Sequence, residues 1–149
     1  MTADVLVIGY GNELRGDDGV GPRVARAVAA WNLPTVRAID ARQLTPEMAE
    51  LLSLAQRAIF VDATMDNKER VTVEPVMPHE CQASLGHISE PGWLLALTRQ
   101  VFGYCPNTVL VTIPVAKCSF GEGLSAQAEM AMTEALPMVA ALIENYVRS

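Results

Sequence analysis

The chain has 149 residues, half of them hydrophobic, and a formal net charge of −6. That length and composition favour one domain, spanning residues 1–149, with its own core, and exclude a disordered chain. The acidic balance argues against a nucleic-acid binder, whose footprint is basic, and no apolar stretch approaches the roughly 20 residues of a membrane-spanning helix.

The elements alternate along the chain. Val5-Leu6-Val7-Ile8 reads as a buried strand, about Asp4–Gly9. A glycine-rich turn follows, and Val20, Val24, Val28 and Trp31 recur at helical spacing. They predict a helix from Asp17 or Asp18 to about Trp31, with Pro22 tolerated in its first turn. A second strand covers about Thr35–Asp40. Thr45-Pro46-Glu47 supplies an N-cap, a proline at the first helical position and an early acid, so a second helix runs to about Leu54. Ala58–Ala63 is a third, strongly apolar strand that ends on Asp62. Val71–Val76 alternates, and Pro75 assigns it to a sheet edge. Ser89 is expected to cap a third helix that buries Leu94, Leu95, Leu97 and Val101. Thr108–Val115 is a further buried strand. Ser125 begins a last helix to about Val147, which Pro137 is expected to kink or divide. Trp31, Trp93 and the seven methionines fall mostly on apolar faces and read as core. This order predicts an α/β fold: a three-layer sandwich with a mostly parallel, twisted sheet, helices on both faces and one antiparallel edge strand.

Met1-Thr2-Ala3-Asp4 lacks the basic start of a secretory leader, so a cytoplasmic protein is expected. Cys81, Cys105 and Cys118 are odd in number and far apart, without a CxxC. They imply reduced thiols rather than a thiolate zinc site or a disulfide framework.

The segment Gly9-Tyr10-Gly11-Asn12-Glu13-Leu14-Arg15-Gly16-Asp17-Asp18-Gly19-Val20-Gly21 carries the most information. A glycine-rich strand-to-helix turn commonly binds nucleotide phosphates. The dinucleotide fingerprint, however, needs a third glycine where this chain has Leu14. Asp17 and Asp18 would also repel a pyrophosphate. Acids at a helix start complement the helix dipole, which explains one of the two aspartates without any function.

Asp62 adds the second carboxylate. In a doubly wound sheet of order 2-1-3 the first and third strands are neighbours, and their C-terminal ends face the ligand-binding crevice. Asp18 and Asp62 would meet there, although a strand-end aspartate also serves as an ordinary hydrogen-bonded cap. His87, in Ser84-Leu85-Gly86-His87-Ile88-Ser89, is expected to open on the same rim. Two carboxylates and an imidazole suit a borderline divalent metal such as zinc or nickel, with a position left for water or substrate. Other candidates are weaker. Ser89 reads as a cap, Cys81 has no base beyond His79 or His87, and Glu13 reads as a solvent-exposed acid at the cleft.

These residues carry a family resemblance. Gly9-Tyr10-Gly11-Asn12 with Gly16-Asp17-Asp18-Gly19-Val20-Gly21, the strand end Val61-Asp62-Ala63, and His87 before Ser89-x-Pro91 and the Leu94-Leu95 helix occur in order. Over nearly its whole length the chain resembles the [NiFe] hydrogenase maturation endopeptidases. The resemblance implies an enzyme that removes a short C-terminal extension from a hydrogenase large subunit precursor after nickel insertion. It places the family's metal-contacting groups on Asp18, Asp62 and His87, and matches Asp40 to a recurrent acid after the second strand. It implies that the substrate's own nickel is engaged, with no permanent cofactor, although a bound divalent metal such as zinc is also compatible. The expected partner is the nickel-loaded precursor, met by a monomer, with no nucleic acid or membrane involved. Two mechanisms stay open: metal-assisted hydrolysis, or Asp18 or Asp62 as general base. A nickel-sensing or metal-delivery protein without hydrolytic activity would use the same ligands.

Overall fold

A computed structural model describes residues 3–65, 69–79, 90–116, 121 and 123–148. His87, Ser89, Cys81 and Cys118 lie outside the described residues. The apolar runs become strands β1 (Ala3–Tyr10), β2 (Val36–Ala41), β3 (Ala55–Thr64), β4 (Thr72–Val76) and β5 (Asn107–Pro114). Between them lie helices α1 (Val20–Ala30), α2 (Met48–Ser53), α3 (Pro91–Phe102) and α4 (Ala126–Arg148). The sheet order is β2-β1-β3-β5-β4. All pairings are parallel except β4 with β5, so the edge strand that contains Pro75 is antiparallel, as expected.

Side-chain alternation divides each strand between two cores. Val5 and Val7 of β1, Ile59 and Val61 of β3, and Val111 and Ile113 of β5 pack on one face with α1 and α4. Leu6, Ile8 and Tyr10 of β1 and Ala58 and Phe60 of β3 pack on the other with α2 and α3. The fold is therefore the anticipated α/β sandwich with helices on both faces. Strand order reverses about β1, whose neighbours are β2 and β3, and that places a crevice at the C-terminal ends of β1 and β3.

Several local expectations differ from the structure. The first helix opens with a 3-10 turn at Gly16–Gly19 and becomes α-helical only at Val20. Trp31 follows the last buried valine of α1, Val28, and is 37% exposed rather than core. Met65, Met77 and Met130 are also exposed. Glu90 holds the N-cap position of α3, with Pro91 as its first residue. Leu94 and Leu95 are buried as expected, but Val101 is exposed because residues 99–104 all face solvent at the end of α3. Pro137 does not divide α4, which continues for 23 residues. Ala128, Ala131, Ala135, Val139 and Ile143 form one buried stripe along it, and that packing outweighs the backbone hydrogen bond lost at proline. Ser125 does cap this helix: its Oγ accepts the Ala128 N–H at 3.1 Å.

Candidate active site

The turn after β1 is shaped by its own side chains and by close packing. Gly11 has φ +151, and a side chain there would collide with the Asp18 carbonyl. The Asn12 Oδ1 accepts the Leu14 N–H at 3.0 Å, a local turn that asparagine readily makes. The Asn12 N–H donates to the Asp18 Oδ2 at 2.6 Å. At the start of α1, a β-carbon on Gly21 would lie 2.5 Å from the Tyr10 carbonyl and 2.7 Å from the Val61 carbonyl. The helix thus rests directly on the ends of β1 and β3. Close helix-to-strand packing, which the dinucleotide fingerprint assigns to its third glycine, is here the work of Gly21.

Asp17 and Asp18 have separate roles in this turn. Asp17 is 1% exposed and braces the turn against the far end of the chain. Its carboxylate accepts the Ala116 N–H at 3.2 Å, the Ser125 N–H at 2.7 Å and the Ser125 hydroxyl at 2.7 Å. Gly16 and Gly121 add two backbone contacts, from the Gly16 N–H to the Gly121 carbonyl and from the Gly121 N–H to the Leu14 carbonyl, both at 2.8 Å. Asp17 is the structural acid of the pair. Asp18 is partly exposed, and its charge reaches Asp62 and Tyr10.

Asp62 ends the apolar run of β3 on the same sheet face as Phe60 and Ala58. The Ala63 N–H donates to its Oδ1 at 2.8 Å. Burial raises its carboxyl pKa to about 6; hydrogen bonds from Tyr10 and the Ala63 N–H oppose the shift, and the charge of Asp18 adds to it. The structure therefore brings Asp18 within electrostatic reach of Asp62. Tyr10 was not among the residues singled out in the sequence. Its signal was alternation: it continues the face of Leu6 and Ile8 and lies beside Asp62 on the neighbouring strand. Burial first, then the charge and hydrogen bond of Asp62, hold the phenol well above the usual tyrosine range.

The start of α3 contributes Glu90, whose charge reaches Tyr10. Glu90 also pairs with His79, with Nε2 3.4 Å from Oε2. In the sequence His79 stood out only as a base near Cys81, and Glu90 not at all. Among the described residues no three His, Cys, Asp or Glu side chains converge as a metal site; the expected third group, His87, lies outside them.

No family model and no curated protein sequence matches the chain, but solved structures do. A hydrogenase 2 maturation peptidase from a Thaumarchaeota archaeon is 25% identical, with a TM-score of 0.72 over 94% of this chain and 97% of that one. An Escherichia coli endopeptidase, solved in solution, is 25% identical, with a TM-score of 0.71 over 97% and 94%. The hydrogenase maturating endopeptidase HybD from E. coli, at 22% identity, shares the fold with a TM-score of 0.75 over 97% and 94%. The chain is similar in structure to the hydrogenase maturation peptidases.

A cleft of about 280 Å³ opens beside the Asp18 turn, lined by Gly11, Asn12, Glu13, Asp40 and Arg42 among others. Glu13 takes a bidentate pair from Arg26, 2.7 Å at each oxygen, and Arg26 also reaches Asp40 at 3.0 Å. The Arg26 hydrogen bond holds the Glu13 carboxyl below its ordinary range. Glu13 is thus an ion-paired rim residue, not a free acid. A wider cavity of about 570 Å³, containing Arg57, Arg99 and Asn107, lies at the opposite ends of β3 and β5. No helix among the described residues is long and apolar enough to cross a membrane.

Proposed function

We propose that the chain is a peptidase that removes the C-terminal extension of a [NiFe] hydrogenase large subunit precursor once nickel is in place. One observation carries this reading: Asp18 and the partly buried, weakly acidic Asp62 converge at the switch point of a fold shared with maturation peptidases. Asp18, Asp62 and His87 engage the nickel that the precursor brings, and the enzyme keeps no metal of its own. Binding is then favourable only for the loaded precursor, so selection rests on the metal rather than on peptide sequence. The protein acts as a cytoplasmic monomer in a transient complex with its large substrate.

The chemistry is amide hydrolysis. A weakly acidic carboxylate is suited to general-base duty, and in the metal-free protein Asp62 has that character. In this route Asp62 takes a proton from water and the water oxygen adds to the scissile carbonyl. The tetrahedral intermediate then expels the amine, and the proton passes from Asp62 to the leaving nitrogen. The substrate's nickel, when bound, can polarise the carbonyl.

Incubating the protein with apo and nickel-loaded precursor, followed by intact-mass measurement, tests the reading. Loss of the extension from the loaded form alone is expected. Tight binding of loaded precursor without any mass loss would instead identify a nickel-sensing or metal-delivery protein.

A further inference from the structure

Tyr10 occupies a place that packing alone does not explain. Its neighbours on the same face of β1 are Leu6 and Ile8, and an aliphatic residue would continue that row. A hydroxyl at a buried position is costly unless it finds a partner. Tyr10 is 8% exposed, and its ring meets Phe60 edge-on, with centroids 6.3 Å apart and planes at 83°. Its backbone is fixed by pairing with Ala41 on β2. On the other side the β1–β3 register ends at Gly9 opposite Val61, so the next residues along, Tyr10 and Asp62, lie side by side on the same face. The phenol is a rigid donor, and the register sets it beside the Asp62 carboxylate.

We propose that Tyr10 is a positioning residue for Asp62: its hydroxyl donates to the carboxylate and sets the direction in which the remaining lone pairs face the Asp18 turn. The inference rests on the peptidase reading above. An ionised carboxylate offers about four acceptor positions. The Ala63 N–H fills one on Oδ1. That bond comes from the adjacent residue and leaves the side-chain torsion only loosely determined. A second donor from a neighbouring strand fixes the plane of the group. Misplacing a reacting group by a fraction of an ångström costs rate rather than binding.

Tyr10→Phe tests this, since it removes one oxygen and keeps the ring against Phe60. With nickel-loaded precursor, kcat is expected to fall by about ten-fold or more while KM stays within about two-fold. The melting temperature of the variant should stay within a few degrees of the parent. Asp62→Asn, measured alongside, is expected to be inactive. An unchanged kcat in Tyr10→Phe with an inactive Asp62→Asn would overturn the positioning role alone. So would a loss expressed wholly in KM, which would place Tyr10 in contact with substrate. Normal processing by Asp62→Asn would overturn the peptidase site itself.

Discussion

Asp17 is a buried acid and Asp62 a partly buried one at the same end of one sheet, and they differ in supply. Asp17 receives two backbone N–H groups and a hydroxyl from the segment leading into α4. Asp62 has the adjacent backbone N–H and Tyr10, set against burial and the charge of Asp18. A carboxylate saturated with donors is comfortable as an anion and serves as a brace. One that is undersupplied holds its proton longer and is available for exchange. The sequence motif Asp17-Asp18 conceals the same division, with a structural acid followed directly by the proposed site acid.

The sharpest way to break this contrast is to exchange activity for stability. Asp62→Ala and Asp18→Ala are each expected to lower processing by at least about 100-fold, in line with loss of a general acid–base or substrate-binding group. Intact-mass time courses would show it, with circular dichroism confirming the fold. Asp17→Ala is expected to act in the opposite way. It strands the Ala116 and Ser125 N–H groups, and denaturant unfolding should show a loss of about 3 kcal/mol. Equal effects of Asp17→Ala and Asp62→Ala on both measurements would dissolve the distinction.

A smaller effect has a definite sign. The native state holds the Asp62 proton up to about pH 6, whereas the ordinary carboxyl loses it near 3.8. The unfolded chain therefore binds fewer protons across that window, so this group's contribution to stability falls as pH rises from about 4 to 6 and is level above it. Asp62→Asn removes the penalty. Near neutral pH it should be more stable than the parent by on the order of 2 kcal/mol, with the difference vanishing toward pH 4. Thermal melts of both proteins at several pH values would check it. The smallest change belongs to the exposed rim: Glu13→Gln should alter stability by less than about 1 kcal/mol, because its pair with Arg26 is nearly half exposed.

What could be read from the residues follows how local each cause is. Alternation and turn chemistry are local, so the strand order around β1, the antiparallel edge at Pro75 and the convergence of Asp18 with Asp62 were all accessible. The role of Asp17 was not, because its partner Ser125 lies 108 residues away. Tyr10 was hidden for another reason: an aromatic at the end of an apolar strand looks like core until its neighbour on the adjacent strand is known. Trp31 and Val101 match the helical period but fall where α1 and α3 run beyond the core. Periodicity reports a face, not what lies opposite it.

The brace at Asp17 also sets a timetable. The turn bearing Asp18 follows β1 directly, yet its anchor is the entrance to α4, 108 residues further along and after the other described elements. A chain emerging from the ribosome can pair β1 with β2 and β3 early, since those contacts are closer in sequence. The turn gains its support only when the start of α4 docks. A nascent or C-terminally truncated chain would thus carry both aspartates without their final geometry, and the site would be completed with the fold itself.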